Sequence, residues 1–135
     1  MKAKAIRLED GQDLLNEVNN LVNENNITAG VILSAVGSLK YSNIRVPIID
    51  GCIKYINPIN LEIDNLHGTV SSNGCHLHIS VSDMTGSVLG GHLMEGCIIR
   101  TTCELVIGIL DDVSFDRKFD ESTGFKELTI KSETL

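Results

Sequence analysis

Gly74-Cys75-His76-Leu77-His78-Ile79-Ser80-Val81-Ser82-Asp83 is the stretch on which the reading of this chain turns. Cys75, Leu77, Ile79 and Val81 are apolar, while His76, His78, Ser80 and Ser82 between them are polar. Strict alternation of this kind is the period of a half-buried β-strand, and it puts both imidazoles on one face. Residues two apart in a strand lie about 6.5 to 7 Å apart at Cα, a span that two imidazoles can close onto one metal ion with bonds of roughly 2.0 to 2.1 Å. A third histidine, His92, follows Gly90-Gly91. Those glycines lack side chains, and a tight backbone bend there is expected to bring the His92 ring back over the strand. Three histidines with one open position form the ligand set of a catalytic zinc, which lowers the pKa of bound water to about 7. The expected cofactor is therefore zinc or another divalent ion on His76, His78 and His92. The plainer reading, two surface imidazoles on an ordinary strand, stands beside it.

Outward from this stretch the chain reads as a single domain over residues 1–135, with no linker, repeat or low-complexity tract. Met1 to Leu8 alternates like a short strand. Asp10 then offers a helix N-cap, with Asp13 placed where a carboxylate favours the positive helix end. Leu14, Leu15, Val18, Leu21 and Val22 follow at helical spacing until the run Asn23 to Asn26 ends it. Beyond Ile27 the helical period disappears. Short Val-, Ile- and Thr-rich runs take over at 28–38, 42–49, 52–55, 59–71, 75–82, 87–89, 97–110, 113–119 and 125–130. Ser72-Asn73-Gly74 and Met84-Thr85-Gly86 between them predict turns with glycine at positive φ. The fold class is α+β: an antiparallel sheet with one main helix near the N-terminus.

Composition narrows the function. The 135 residues hold 11 Lys+Arg against 18 Asp+Glu, a net charge of −7. Phosphate-backbone binding needs a surplus of the opposite sign. Aromatic residues make up 4% of the chain, too few for base-stacking platforms. No apolar run reaches the roughly 20 residues of a membrane span, and the first ten residues mix charge with apolar groups, so a cytoplasmic protein is expected. Cys52, Cys75, Cys97 and Cys103 form no C-x-x-C pair and read as small buried apolar residues in a reducing compartment.

Other residues could support a metal site. Asp83, Glu104 and Arg100 are candidate neighbours of the ligands, and Asp83, Glu95 and Glu104 are candidate general bases for a metal-dependent hydrolase or lyase. His67, before Gly68, sits in a turn-like context. A rival pattern, the first cupin motif, is followed loosely by His76, His78, Asp83 and Gly90, but no Pro-x-Gly-x-x-His supplies its second motif. Neither a nucleophile elbow nor a phosphate loop occurs.

Taken together, three blocks resemble the plant and prokaryote conserved (PPC) domain family. They are Gly30-Val31-Ile32-Leu33-Ser34-Ala35-Val36-Gly37-Ser38-Leu39 with Arg45 after it, His76 to Asp83 leading through Gly86 to Gly90-Gly91-His92-Leu93, and Glu104-Leu105-Val106-Ile107-Gly108. The resemblance implies an antiparallel sheet of about seven strands with a helix, a homotrimer, and a metal on His76, His78 and His92. A small-molecule ligand or a protein partner is the expected occupant. The family's usual DNA-binding name comes from plant relatives that add an AT-hook, and this sequence contains no Arg-Gly-Arg. His67 departs from the small residue expected before the glycine, which raises the question of a fourth imidazole at the site.

Overall fold

The computed structural model describes residues 1–132; the last three residues of the expected domain lie outside that description. Strands β1 (Lys2–Glu9), β2 (Gly30–Tyr41), β3 (Ile44–Arg45), β4 (Tyr55–Ile56), β5 (Leu61–Val70), β6 (His76–Ser82), β7 (Val88–Leu93) and β8 (Ile98–Ile109) form one sheet in the order β1-β8-β2-β5-β6-β7-β3-β4. Strands β9 (Val113–Asp120) and β10 (Phe125–Ser132) form a separate hairpin, and α1 (Leu14–Glu24) is the one α-helix among the described residues. The pairings run antiparallel throughout. The α+β class holds, with ten strands instead of about seven because β3 and β4 are two-residue fragments and β9–β10 stands apart.

The shortening of β3 and β4 has a local cause. Pro47 cannot donate to a ladder, and Asp50 and Gly51 both take positive φ in the tight turn that joins Ile49 to Cys52. That turn leaves Cys52 exposed; Cys75 is half-buried, and of the four cysteines expected to be buried only Cys97 and Cys103 are. Burial raises the Cys103 thiol to about 11. A neutral-pH thiol reagent is therefore expected to label Cys52 at once and Cys97 and Cys103 only on unfolding. Two rapid equivalents from the buried pair would contradict the packing.

The N-cap of α1 is Asp13, not Asp10. Asp13 Oδ1 accepts from Asn16 N at 3.0 Å and its Oδ2 accepts from Gly96 N at 2.7 Å. Gly11, at φ +88°, turns the chain between the two, and Asp10 pairs with Lys40 Nζ at 2.7 Å instead. The buried stripe Leu14, Val18, Leu21 and Val22 joins Leu66, Leu77, Ile79, Leu93, Leu105 and Ile107 in a single core. With 11 residues, α1 is too short to cross a membrane, and no other described helix is long and apolar enough to do so. Leu77, Ile79 and Val81 of β6 are all buried in this core. Strand alternation therefore turns His76 and His78 to the opposite face of the sheet.

Candidate metal centre

Register assembles the site. Within β6, His76 and His78 share the outer face. The β6–β7 hairpin sets His92 directly opposite His78, the β5–β6 pairing sets His67 opposite His78 on the other side, and β3 sets Arg45 opposite His92. Directly paired residues point to the same face, so His67, His78, His92 and Arg45 form one row across four strands.

The expected bend at Gly90-Gly91 is absent: both lie inside β7. Their lack of a side chain serves close approach instead. A Cβ on Gly90 would come within 2.2 Å of the Ile79 carbonyl oxygen, and one on Gly91 within 2.6 Å of the Arg45 oxygen. The reversal of the chain is made earlier, at Gly86, which takes φ +81°.

One ligand atom from each of His76, His78 and His92 lies within 4.8 Å of the other two. His76 Nε2 and His78 Nε2 are 3.2 Å apart. Two nitrogens on a tetrahedral zinc, with bonds of about 2.0 to 2.1 Å, are separated by roughly 3.3 Å. Among the described residues His92 Nδ1 is buried with no hydrogen-bond partner, an orphan state that a metal site relieves by bonding or by ordering its surroundings. The donor set thus fits a divalent ion of borderline softness such as zinc.

Electrostatics point the same way. Burial, with the Arg45 guanidinium adding to it, lowers His92 to about 4. His76 is lowered by burial and then by His78 and Arg117; His78 is lowered by burial and then by His67 and Arg45. Both are exposed as whole residues, yet the cleft desolvates their rings enough to favour the neutral form. Neutral imidazole is the form that ligates. In metal-free protein the unfolded chain, with histidines near 6.5, binds more protons than the folded one below that pH. The stabilisation is present above about 6.5 and is lost as pH falls towards about 4. Melting of chelator-treated protein is expected to drop across this window, and His92→Gln to flatten the drop; identical profiles would contradict the assignment.

The three imidazoles open onto a cleft of about 740 Å³. One wall runs from Arg45, the last residue of β3, to Ile48, and the other is the β9–β10 hairpin with Arg117, Phe125, Lys126 and Glu127. The hairpin is lashed down by Phe115, whose N–H donates to Thr28 O at 2.9 Å and whose carbonyl accepts from Asn73 Nδ2 at 2.9 Å. Arg117 Nη2 donates to Thr69 Oγ1 at 2.8 Å.

Other expected neighbours of the ligands fall elsewhere. Asp83 Oδ1 closes the β6–β7 turn, accepting from Thr85 N, Thr85 Oγ1 and Ser87 N. Glu104 stands opposite Arg7 on β1, and β8 is separated from β6 by β2 and β5. Arg100 reaches Asn60 Oδ1 at 3.4 Å, and Glu95 accepts from Asn16 Nδ2 at 3.1 Å. None of these four lines the cleft within one chain. His67 lies mid-strand, not in a turn, and its Nδ1 faces Asn65 Nδ2 at 3.2 Å. Its ring centroid is 6.1 Å from that of His78, so it flanks the triad without joining it. Arg117 was not legible as a site residue: nothing in its local pattern says that the hairpin folds back beside His76.

The Plants and Prokaryotes Conserved (PCC, or PPC) domain model matches residues 1–111. The chain belongs to this family. The β9–β10 hairpin that walls the cleft lies beyond the matched span. A hypothetical protein from Salmonella enterica shares the PPC fold with a TM-score of 0.90 at 36% identity, covering 98% of this chain and 95% of its own. A metal-containing protein from Archaeoglobus fulgidus superposes with a TM-score of 0.82 at 29% identity, covering 96% and 94%. Among curated relatives, the bifunctional protein GlmU of Synechococcus sp. strain JA-2-3B'a(2-13) is 39% identical over 131 residues, 97% of this chain. This PPC chain spans about one-fifth of that relative's length. Structures from Ralstonia and Bacteroides that carry a DNA-binding name are 19% and 22% identical, a likeness of fold alone.

Proposed function

We propose that this chain is a homotrimeric metal-binding protein in which His76, His78 and His92 hold one divalent ion, zinc by the character of its donors. A coordination position is left open towards the cleft for a small ligand or a partner group. The observation that carries this reading is the convergence of three ligand atoms within 4.8 Å at a cleft mouth. The metal-containing Archaeoglobus relative supports it. Bound there, the ion would act as a Lewis acid towards whatever enters the fourth position. The chain's own imidazoles fix its place because they sit on three registered strand positions rather than on loops.

Ligand binding is favoured over hydrolysis or elimination. A hydrolytic version needs a general base within reach of the open position; Asp83 and Glu95 are hydrogen-bonded elsewhere, and Glu104 stands on β8, which two strands separate from β6. Glu127 is the one acid among the residues lining the cleft. Assembly is supported by Leu33 and Val36, large apolar side chains left exposed on β2. The DNA-binding alternative gains nothing from a chain of net charge −7.

The test is metal content by plasma mass spectrometry on untagged protein. About one ion per chain supports the reading. No metal after supplementation with zinc overturns it and leaves the histidines as ordinary polar strand residues.

A further inference from the structure

The cleft beside the histidines has a charge opposite to that of the chain. Its lining contains Arg45, Arg117 and Lys126 against the single acid Glu127. The whole protein, by contrast, carries seven more acids than bases. In such a chain a half-buried arginine has many carboxylates to pair with. Yet among the described residues neither Arg45 nor Arg117 forms a salt bridge, and Arg45 makes no side-chain hydrogen bond at all. Arg117 spends one donor on Thr69 Oγ1 and keeps the rest of its fork free.

Both guanidiniums belong to the site by position. Arg45 lies directly opposite His92 in the β3–β7 pairing, and both arginines act electrostatically on the His76 ring. They approach from different walls, Arg45 from β3 and Arg117 from the hairpin beyond the family-matched span. Leaving two partly desolvated cations unpaired costs stability unless something anionic is supplied. A planar guanidinium pairs best with carboxylate or phosphate, in bidentate geometry.

We propose that Arg45 and Arg117 form an anion-binding subsite beside the three histidines, which selects small molecules bearing a carboxylate or phosphate group and directs that group towards the metal position. This rests on the metal-site reading for its geometry but not for its charge: the two arginines hold an anion, more weakly, in metal-free protein too. It also gives the hairpin a role as the wall that sets which ligands enter.

The experiment is calorimetric titration of zinc-loaded and chelator-treated protein with malonate, with inorganic phosphate and with neutral malonamide. Metal content is measured on the same samples. Both or either anion is expected to bind, the tighter one naming the class, and malonamide is not. Arg45→Gln and Arg117→Gln should each weaken anion binding at least tenfold while leaving metal content and melting temperature near those of the native protein. Because the arginines stand on different elements, misfolding of one variant leaves the other to decide. As a measurement that needs no variant, malonate should raise the melting temperature of the native protein in proportion to its saturation. Failure of both anions to bind, or binding indifferent to both substitutions, overturns the proposal even where one metal per chain is found. Arginine-dependent anion binding to protein that takes up no metal would instead sustain the subsite and remove the metal. Pairing of both arginines with carboxylates of a second copy in the assembled protein would also overturn it.

Discussion

With the proposed metal site and assembly, His78→Ala is expected to lower bound metal from about one ion per chain to a small fraction of that and to leave the oligomeric state unchanged. His78 is the hinge of the ligand set: its Nε2 is 3.2 Å from His76 Nε2, and it stands directly opposite His92 in the sheet. Removing it leaves two nitrogens from adjacent strands. A zinc site with two protein ligands loses the closed geometry that makes the ion competitive against buffer, so an affinity loss of several orders of magnitude is expected. The side chain lies on the exposed outer face of β6 while Leu77 and Ile79 on either side fill the core. Alanine therefore removes no core packing, and the metal-free melting temperature should change by little. Plasma mass spectrometry and light scattering on the same sample separate the outcomes. Metal retained at one per chain would sink the three-histidine assignment. Metal lost together with the trimer would make the ion a structural one.

Gly68→Ala is expected to be the most damaging single substitution near the site. Gly68 takes φ +138°, and a Cβ there would lie 1.9 Å from the His76 carbonyl oxygen and 3.1 Å from Leu77 Cα. Both obstacles are backbone in β6, so relief requires the two strands to part at the point where the histidine pair begins. A clash of this kind, added to an unfavourable φ, costs about 3 kcal/mol or more. For a domain of this size that corresponds to a fall in melting temperature on the order of 10 °C. Metal affinity should fall too, since the displaced part of β6 carries His76 and adjoins His78. Gly86→Ala is the control: φ is +81° but nothing lies within 4 Å of the added carbon, so the cost is confined to backbone strain of about 1 kcal/mol. Equal small losses in the two variants would show that β5 and β6 are not held as closely as the geometry implies.

Much of this arrangement was legible from local pattern. The alternation Cys75 to Ser82 identified β6 and the shared face of His76 and His78, because period-two alternation is a property of a single strand. The apolar stripe from Leu14 to Val22 identified α1, because its 3.6-residue period is likewise a property of a single element. Long-range choices were not legible. The sequence pointed to Asp10 as the cap with Asp13 in the first turn, and the contact from Gly96 N in a distant segment is one of the two that make Asp13 the cap instead. Asp83, Glu95 and Glu104 qualified by residue type alone; Asp83 proved to close a turn, Glu95 to accept from the helix, and Glu104 to lie on β8, with two strands between it and β6.

The sequence by itself determined which side chains can ligate and that two of them share a face. It did so because strand alternation is imposed by the backbone residue by residue. Only the tertiary structure decided the rest: that His92 arrives by hairpin register and not by a glycine bend, that His67 stands aside, and that Arg45 and Arg117 close on the same cleft from opposite walls. Those facts depend on which strands pair and on how a hairpin packs, and pairing is settled by the burial of a whole sheet face rather than by any short stretch of residues.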